Sequence, residues 1–161
     1  MLDGWLLALT LITALGCGLI AGVFFAFSTF VMKALARLPA ADGLAAMQAI
    51  NLEAPTAWFM TGLFGTAAAC VAVAVGALFR LDETYAPYLL IGSLLYVVGT
   101  ILLTIVYHVP RNEALASVDP NGPEAAGHWT RYVATWTAWN HVRAAAALAA
   151  AAVLTVALRV G

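Results

Sequence analysis

Charge is what this sequence has little of. Only 9% of its 161 residues are charged, against about a quarter in a typical soluble domain. With 64% of residues hydrophobic, a water-soluble fold of this length could not cover its apolar surface, because small folds leave much of their area to solvent. The net charge is −1 and no polybasic run occurs, which excludes a nucleic-acid partner. Cysteine is scarce: Cys17 and Cys70 both lie in apolar runs, with no CxxC pair or zinc-ligand spacing, and read as small hydrophobes. The N-terminus lacks the basic region of a signal peptide. It carries Asp3, and its apolar run continues past Phe30, so it reads as a retained span. Period-2 alternation is missing from the long Ala- and Leu-rich runs, which favours helix over strand.

What is present is a set of apolar runs, each long enough to cross the hydrocarbon core, which takes roughly 20 residues as helix. The spacing predicts an all-α fold: a four-transmembrane-helix bundle forming one integral membrane domain over residues 1–161. Its spans are about 5–32, 56–79, 88–109 and 133–159. Four crossings put both termini on the same side, together with the short connection Arg80 to Pro87. The opposite side carries the longer loops Lys33 to Pro55 and Pro110 to His128, and Ala40 to Leu52 reads as a short amphipathic helix lying on that surface. Lys33, Arg37, Arg111 and Arg131 flank the membrane there, which by the positive-inside rule makes that side cytoplasmic. The expected location is a multi-pass position in a bacterial inner membrane. Gly18-x-x-x-Gly22-x-x-x-Ala26 in the first span reads as a helix-packing surface inside the bundle, with homo-oligomerisation as the alternative.

The polar and aromatic residues collect at the long-loop end. Tyr107, His108, Arg111 and Asn112 end the third span; Trp129, Tyr132, Trp136, Trp139, Asn140, His141 and Arg143 begin the fourth. Asn51 and Glu53 precede the second span, and Ser28 and Thr29 end the first. Tryptophan and tyrosine alone would read as an interfacial belt. At 100° per residue, however, Trp129, Tyr132, Trp136, Asn140 and Arg143 form one stripe, and ionisable groups at membrane depth usually face the bundle interior and pair there. His141 lies about 100° off that stripe. On the third span Tyr96, Thr100, Tyr107 and Arg111 make a polar stripe, with Thr104 and His108 beside it. Glu53 is the expected partner of Arg143.

The glutamates and Glu-x-x-His pairs of a di-iron bundle are absent. His108 and His141 could ligate a haem or metal from neighbouring helices, but without a spacing signature, and no metal site is assigned. The partners that remain are membrane lipids and a lipophilic small molecule.

Several stretches carry a resemblance. Gly22-Val-Phe-Phe-Ala-Phe-Ser-Thr-Phe-Val-Met and Ala46-Met-Gln-Ala-Ile-Asn resemble segments of the anthrone oxygenase-like family of small membrane proteins. Val109-Pro110-Arg111-Asn112-Glu113-Ala114-Leu115 resembles its Val-Pro-x-Asn-x-x-Leu segment, and Trp136-Thr-Ala-Trp-Asn-His-Val-Arg143 its Trp-x-x-Trp-Asn-x-x-Arg motif. The resemblance implies a monooxygenase acting with O2, without flavin or metal, on a lipophilic substrate, polycyclic aromatics included. The alternative is a non-enzymatic bundle binding a lipid, quinone or haem. On the resembling positions the catalytic candidates are His108 or His141 as base, with Asn112, Asn140 and Arg143 stabilising an oxyanion. The substrate-binding candidates are Phe27, Asn51, Tyr107, Trp136 and Trp139.

Overall fold

The computed structural model describes residues 3–161, all of it helix and connecting turn with no strand among the described residues. Five helices follow one another: α1 Gly4–Leu35, α2 Ala40–Glu53, α3 Ala57–Leu78, α4 Ala86–Ala116 and α5 Ala125–Val160. All but α2 are long and apolar enough to cross a membrane. Their starts follow local chemistry. Thr56 caps α3, its Oγ1 accepting from the Phe59 N–H at 3.2 Å. Pro87 sits in the first turn of α4, where its missing N–H costs nothing.

The inner core runs along α1, α3, α4 and α5 through Leu6, Ile20, Phe24, Val73, Leu89, Tyr96 and Leu154. The outward faces are apolar too: Leu15, Leu19, Phe25, Leu94 and Leu148 are all exposed. That is the pattern of a bundle solvated by lipid. Lipid tails are as apolar as leucine, so packing and hydrogen bonds rather than the hydrophobic effect hold such helices together. The Tyr96 hydroxyl donates to the Leu63 carbonyl at 3.0 Å, tying α4 to α3.

At one end Arg80 pairs with Asp3 and lies over the Trp5 ring. Thr84 donates to the Val160 carbonyl at 3.3 Å. Asp3, Val160 and the α3–α4 connection therefore share one end of the bundle.

The other end is closed by α2. Its apolar side is buried inside the protein rather than lying on the surrounding surface, because Leu44 and Met47 pack with Met32, Leu115, Trp129, Tyr132 and Trp136 into a second core. Gly43 makes the approach possible. A Cβ there would stand 2.7 Å from the Leu35 carbonyl oxygen and 2.9 Å from Trp129 Nε1. Gln48 Nε2 donates to the Leu115 and Val118 carbonyls, each at 2.9 Å, and so ties α2 to the turn that ends α4.

The expected packing role of Gly18 and Gly22 is not realised. A Cβ at either would meet nothing within 4 Å. Both line an outward groove between α1 and α5. The close approaches fall at other glycines: Gly16 against Thr66 of α3, and Gly92 against Leu154 of α5.

Candidate active site

The site forms where two helices depart from regular α geometry. α1 widens to a π turn at Phe27–Val31, and α4 does so at Val97–Leu102 and again at Thr104–His108. Local causes are visible. Thr29 and Thr104 bond back to the Phe25 and Thr100 carbonyls, each at 2.7 Å, a habit that loosens and bends helices. Pro110 supplies no N–H, and its ring crowds the carbonyl four residues back. A π turn carries more residues per turn than an α turn, so residues four apart stay in line. Thr100, Thr104 and His108 accordingly share the inner face of α4. Tyr107 and Arg111, expected on a stripe with Thr100, are turned outward.

Between α1, α2, α3, α4 and α5 lies a cavity of about 170 Å³. Phe24, Phe27, Ile50, Phe59, Met60 and Trp136 provide apolar wall, and Asn51, Thr104, His108, Asn112 and Arg143 provide polar atoms. Six of the ten residues singled out from sequence therefore line one cavity: Phe27, Asn51, His108, Asn112, Trp136 and Arg143.

Arg143 is 6% exposed. Its Nε donates to Asn140 Oδ1 at 2.7 Å, its Nη1 to Thr104 Oγ1 at 3.2 Å, and its guanidinium lies 3.8 Å from the Phe24 ring centre. Asn140, fully buried, stands behind the cavity. Its Nδ2 donates to the Phe24 carbonyl at 2.7 Å and to Ser28 Oγ at 2.6 Å. Asn140 thus orients the arginine while pinning α5 to α1. The expected Glu53–Arg143 pair does not form. Glu53 ends α2 on its exposed side, and among the described residues Arg143 has no carboxylate partner. Removal from water is costly for a lone cation, and here neutral acceptors and aromatic faces offset it.

His108 is 1% exposed and meets Trp136 edge-on, with ring centres 5.1 Å apart. Neither imidazole nitrogen makes a hydrogen bond among the described residues; the Trp139 carbonyl approaches the ring without completing one. Asn112 Oδ1 accepts from the Tyr132 hydroxyl at 2.8 Å and from Trp136 Nε1 at 2.9 Å, which fixes the Trp136 plane. Asn51 Nδ2 is buried and unpartnered. Buried polar groups are normally satisfied, so His108 and Asn51 keep hydrogen-bonding capacity on the cavity wall.

Three sequence candidates stand elsewhere. His141 is exposed and lines the outer groove with Gly18, Gly22 and Phe25. The 100° between it and Asn140 carries it away from the cavity. His108 and His141 therefore line different cavities. Tyr107 and Trp139 pack against each other outside the cavity, ring centres 4.9 Å apart, with Arg111 3.4 Å above Tyr107. Both are side chains of the outer surface. Among the described residues no three His, Cys, Asp or Glu side chains cluster as metal ligands. The ten candidate residues leave out Phe24 beneath the guanidinium, Thr104 beside it, and Phe59 and Met60 in the wall. Phe24 belongs to the Gly22–Met32 stretch and Thr104 to the polar side of the third span, both already singled out; apolar Phe59 and Met60 carry no local signal.

The family model described as anthrone oxygenase matches residues 56–153, more than half of the chain. That stretch contains His108, Asn112, Trp136, Asn140 and Arg143. No curated protein and no solved structure matches the chain.

Proposed function

The chain belongs to the anthrone oxygenase family, and from that premise we propose that it is a membrane enzyme that oxidises a lipophilic aromatic substrate with O2 in the cavity beneath α2. The observation that carries this reading is the His108 imidazole, unpartnered among the described residues, on the same cavity as Arg143, a buried cation with no carboxylate partner among those residues. A base and an oxyanion receptor are the two groups that carbanion oxygenation asks of a protein.

The chemistry runs as follows. A ring CH2 conjugated with a carbonyl, or the hydroxyl of the corresponding phenol, loses its proton to a His108 nitrogen. The negative charge delocalises onto the oxygen, which receives N–H donors from Arg143 and Asn112. The carbanionic carbon bonds to O2, and the resulting peroxide anion takes a proton back. Cleavage of the O–O bond with loss of the second hydrogen from that carbon gives a quinone carbonyl and one water. For an anthrone, the CH2 becomes C=O and the two hydrogens leave in that water, so the reaction balances without an external reductant. Phe27 and Trp136 would flank the ring, and α2 would shield the peroxide from bulk water. The basic residues Lys33, Arg37, Arg111 and Arg131 around α2 support placing that end on the cytoplasmic side of the membrane.

Oxygen uptake by detergent-purified protein with anthrone-type substrates tests this. His108→Ala should lose roughly 10²-fold or more in rate, the usual worth of a general base, and added imidazole should restore part of it. Undiminished uptake in His108→Ala would end the assignment of His108. A second reading, a non-catalytic binder of an anionic lipophile, draws on the same lone Arg143. It would be supported if wild-type protein bound such ligands without consuming oxygen.

A further inference from the structure

Tyr107, Arg111 and Trp139 stand out in the sequence, yet the cavity leaves all three outside. They meet on the outer seam between α4 and α5. Toward the end closed by α2 this seam opens into a groove lined by Arg111, Ser117, His128, Arg131 and Thr135. At 1.5 Å per residue, Arg131 stands about 42 Å along α5 from Arg159. A bilayer with its headgroups measures about 40–45 Å. With Arg159 at one surface, Arg131 therefore lies at the phosphate layer of the other. Trp139 is about 12 Å deeper, just inside the hydrocarbon.

The groove is cationic. The Arg111 guanidinium is held 3.4 Å from the Tyr107 ring centre, with Nη1 donating to the Tyr107 carbonyl at 3.4 Å, which leaves most of its N–H groups open. Arg131 has no carboxylate partner among the described residues. His128 Nε2 stands 3.5 Å from Glu124 Oε2, and Glu124 lines the neighbouring hollow with Asp119. Among the described residues no carboxylate lines the groove itself. Deeper along the seam the surface turns aromatic and aliphatic. Tyr107 packs on Trp139 and its hydroxyl donates to the Thr135 carbonyl at 3.4 Å; Val106 and Val142 are exposed.

A free anion would use only the cationic half of this surface. A lipid with a negative headgroup uses both halves, since guanidinium groups suit phosphate and the ring pair offers a flat apolar track for a chain. Basic pockets between membrane helices on the cytoplasmic side bind anionic headgroups. We propose that the α4–α5 seam binds one anionic phospholipid, its phosphate between Arg111 and Arg131 and its acyl chain along Tyr107 and Trp139. The site is separate from the cavity and does not depend on the oxygenase reading.

The experiment places the full chain in phosphatidylcholine nanodiscs that contain a small fraction of phosphatidylglycerol with brominated acyl chains, or the same fraction of brominated phosphatidylcholine. Bromine quenches tryptophan on contact. Exposed Trp5 and Trp58 respond to both lipids, so the excess quenching by the anionic lipid reads selective occupancy. The expected result is a preference of about tenfold for the anionic lipid. It should be lost in the double variant Arg111→Gln, Arg131→Gln and kept in Lys33→Gln, Arg37→Gln, whose cations flank the same side elsewhere. The excess signal should vanish in Trp139→Phe. Equal quenching by the two lipids would overturn the site. Equal losses in the two double variants would reduce it to general surface attraction, and an excess that survives Trp139→Phe would place the lipid elsewhere. Displacement by inorganic phosphate, but not by chloride at equal ionic strength, would replace the phospholipid with a free anion.

Discussion

Replacing Asn140 by alanine tests the link between site and scaffold most directly. The change removes the bonds to the Phe24 carbonyl and Ser28 Oγ, and strips Arg143 Nε of its acceptor. Interhelical bonds between neutral groups in bilayers average only about 0.6 kcal/mol each. A bond to a charged group is worth about 1.5–3 kcal/mol, and this one is buried. Together they give a loss of about 3 kcal/mol for Asn140→Ala, most of it from the arginine. The arginine share is isolated by a double-mutant cycle with Arg143→Met, which keeps an apolar stem and discards the charge. In the Arg143→Met background, Asn140→Ala should cost only about 1 kcal/mol from the two neutral bonds, a coupling near 2 kcal/mol. Reversible unfolding of the purified protein in mixed micelles by added SDS, followed by tryptophan fluorescence, supplies all four stabilities. A coupling below about 0.5 kcal/mol, the range of independent sites, would refute the claim that Asn140 holds the guanidinium.

Gly43→Ala should destabilise the protein by about 1–3 kcal/mol, the usual cost of overpacking, because its Cβ would meet the Leu35 carbonyl and Trp129. Gly22→Ala, with open space around it, should be neutral or slightly stabilising in the same SDS titration; a loss equal to that of Gly43→Ala would contradict the outward placement of Gly22. Asn112→Ala should change the Trp136 emission and slow oxygen uptake, whereas Glu53→Gln should leave uptake unchanged, since Glu53 does not reach Arg143. Cys17 and Cys70 are fully buried with their sulfurs 4.0 Å apart. They should resist maleimide in the folded protein and react after SDS unfolding, and rapid labelling before unfolding would place them on a water-accessible path.

How much of this was legible in the sequence depended on helix regularity. On α5 a uniform 100° step places Trp129, Tyr132, Trp136, Asn140 and Arg143 on one face, and the structure buries all five, because α5 is α-helical throughout. On α4 the same step favours Tyr107 and Arg111, since composition gives no notice of two π turns that bring Thr104 and His108 inward instead. Pro110 was the available hint. Glu53 was drawn to Arg143 by charge alone, but a charge-based pairing ignores which side of α2 the carboxylate occupies. The closure of the bundle end by α2 could be read as an amphipathic segment, not as a cap, because the partner of its apolar side is assembled from three distant parts of the chain.

The solitary Arg143 also bears on biogenesis. Taken alone, α5 carries a cation into the bilayer at a cost of about 2.5–3.5 kcal/mol near the helix centre. Every group that receives it from outside α5, the Phe24 ring in α1 and the Thr104 hydroxyl in α4, belongs to a helix made earlier by the ribosome. Synthesis from the N-terminus therefore prepares the receptor before the arginine emerges, so that α5 would enter a membrane already holding its partners.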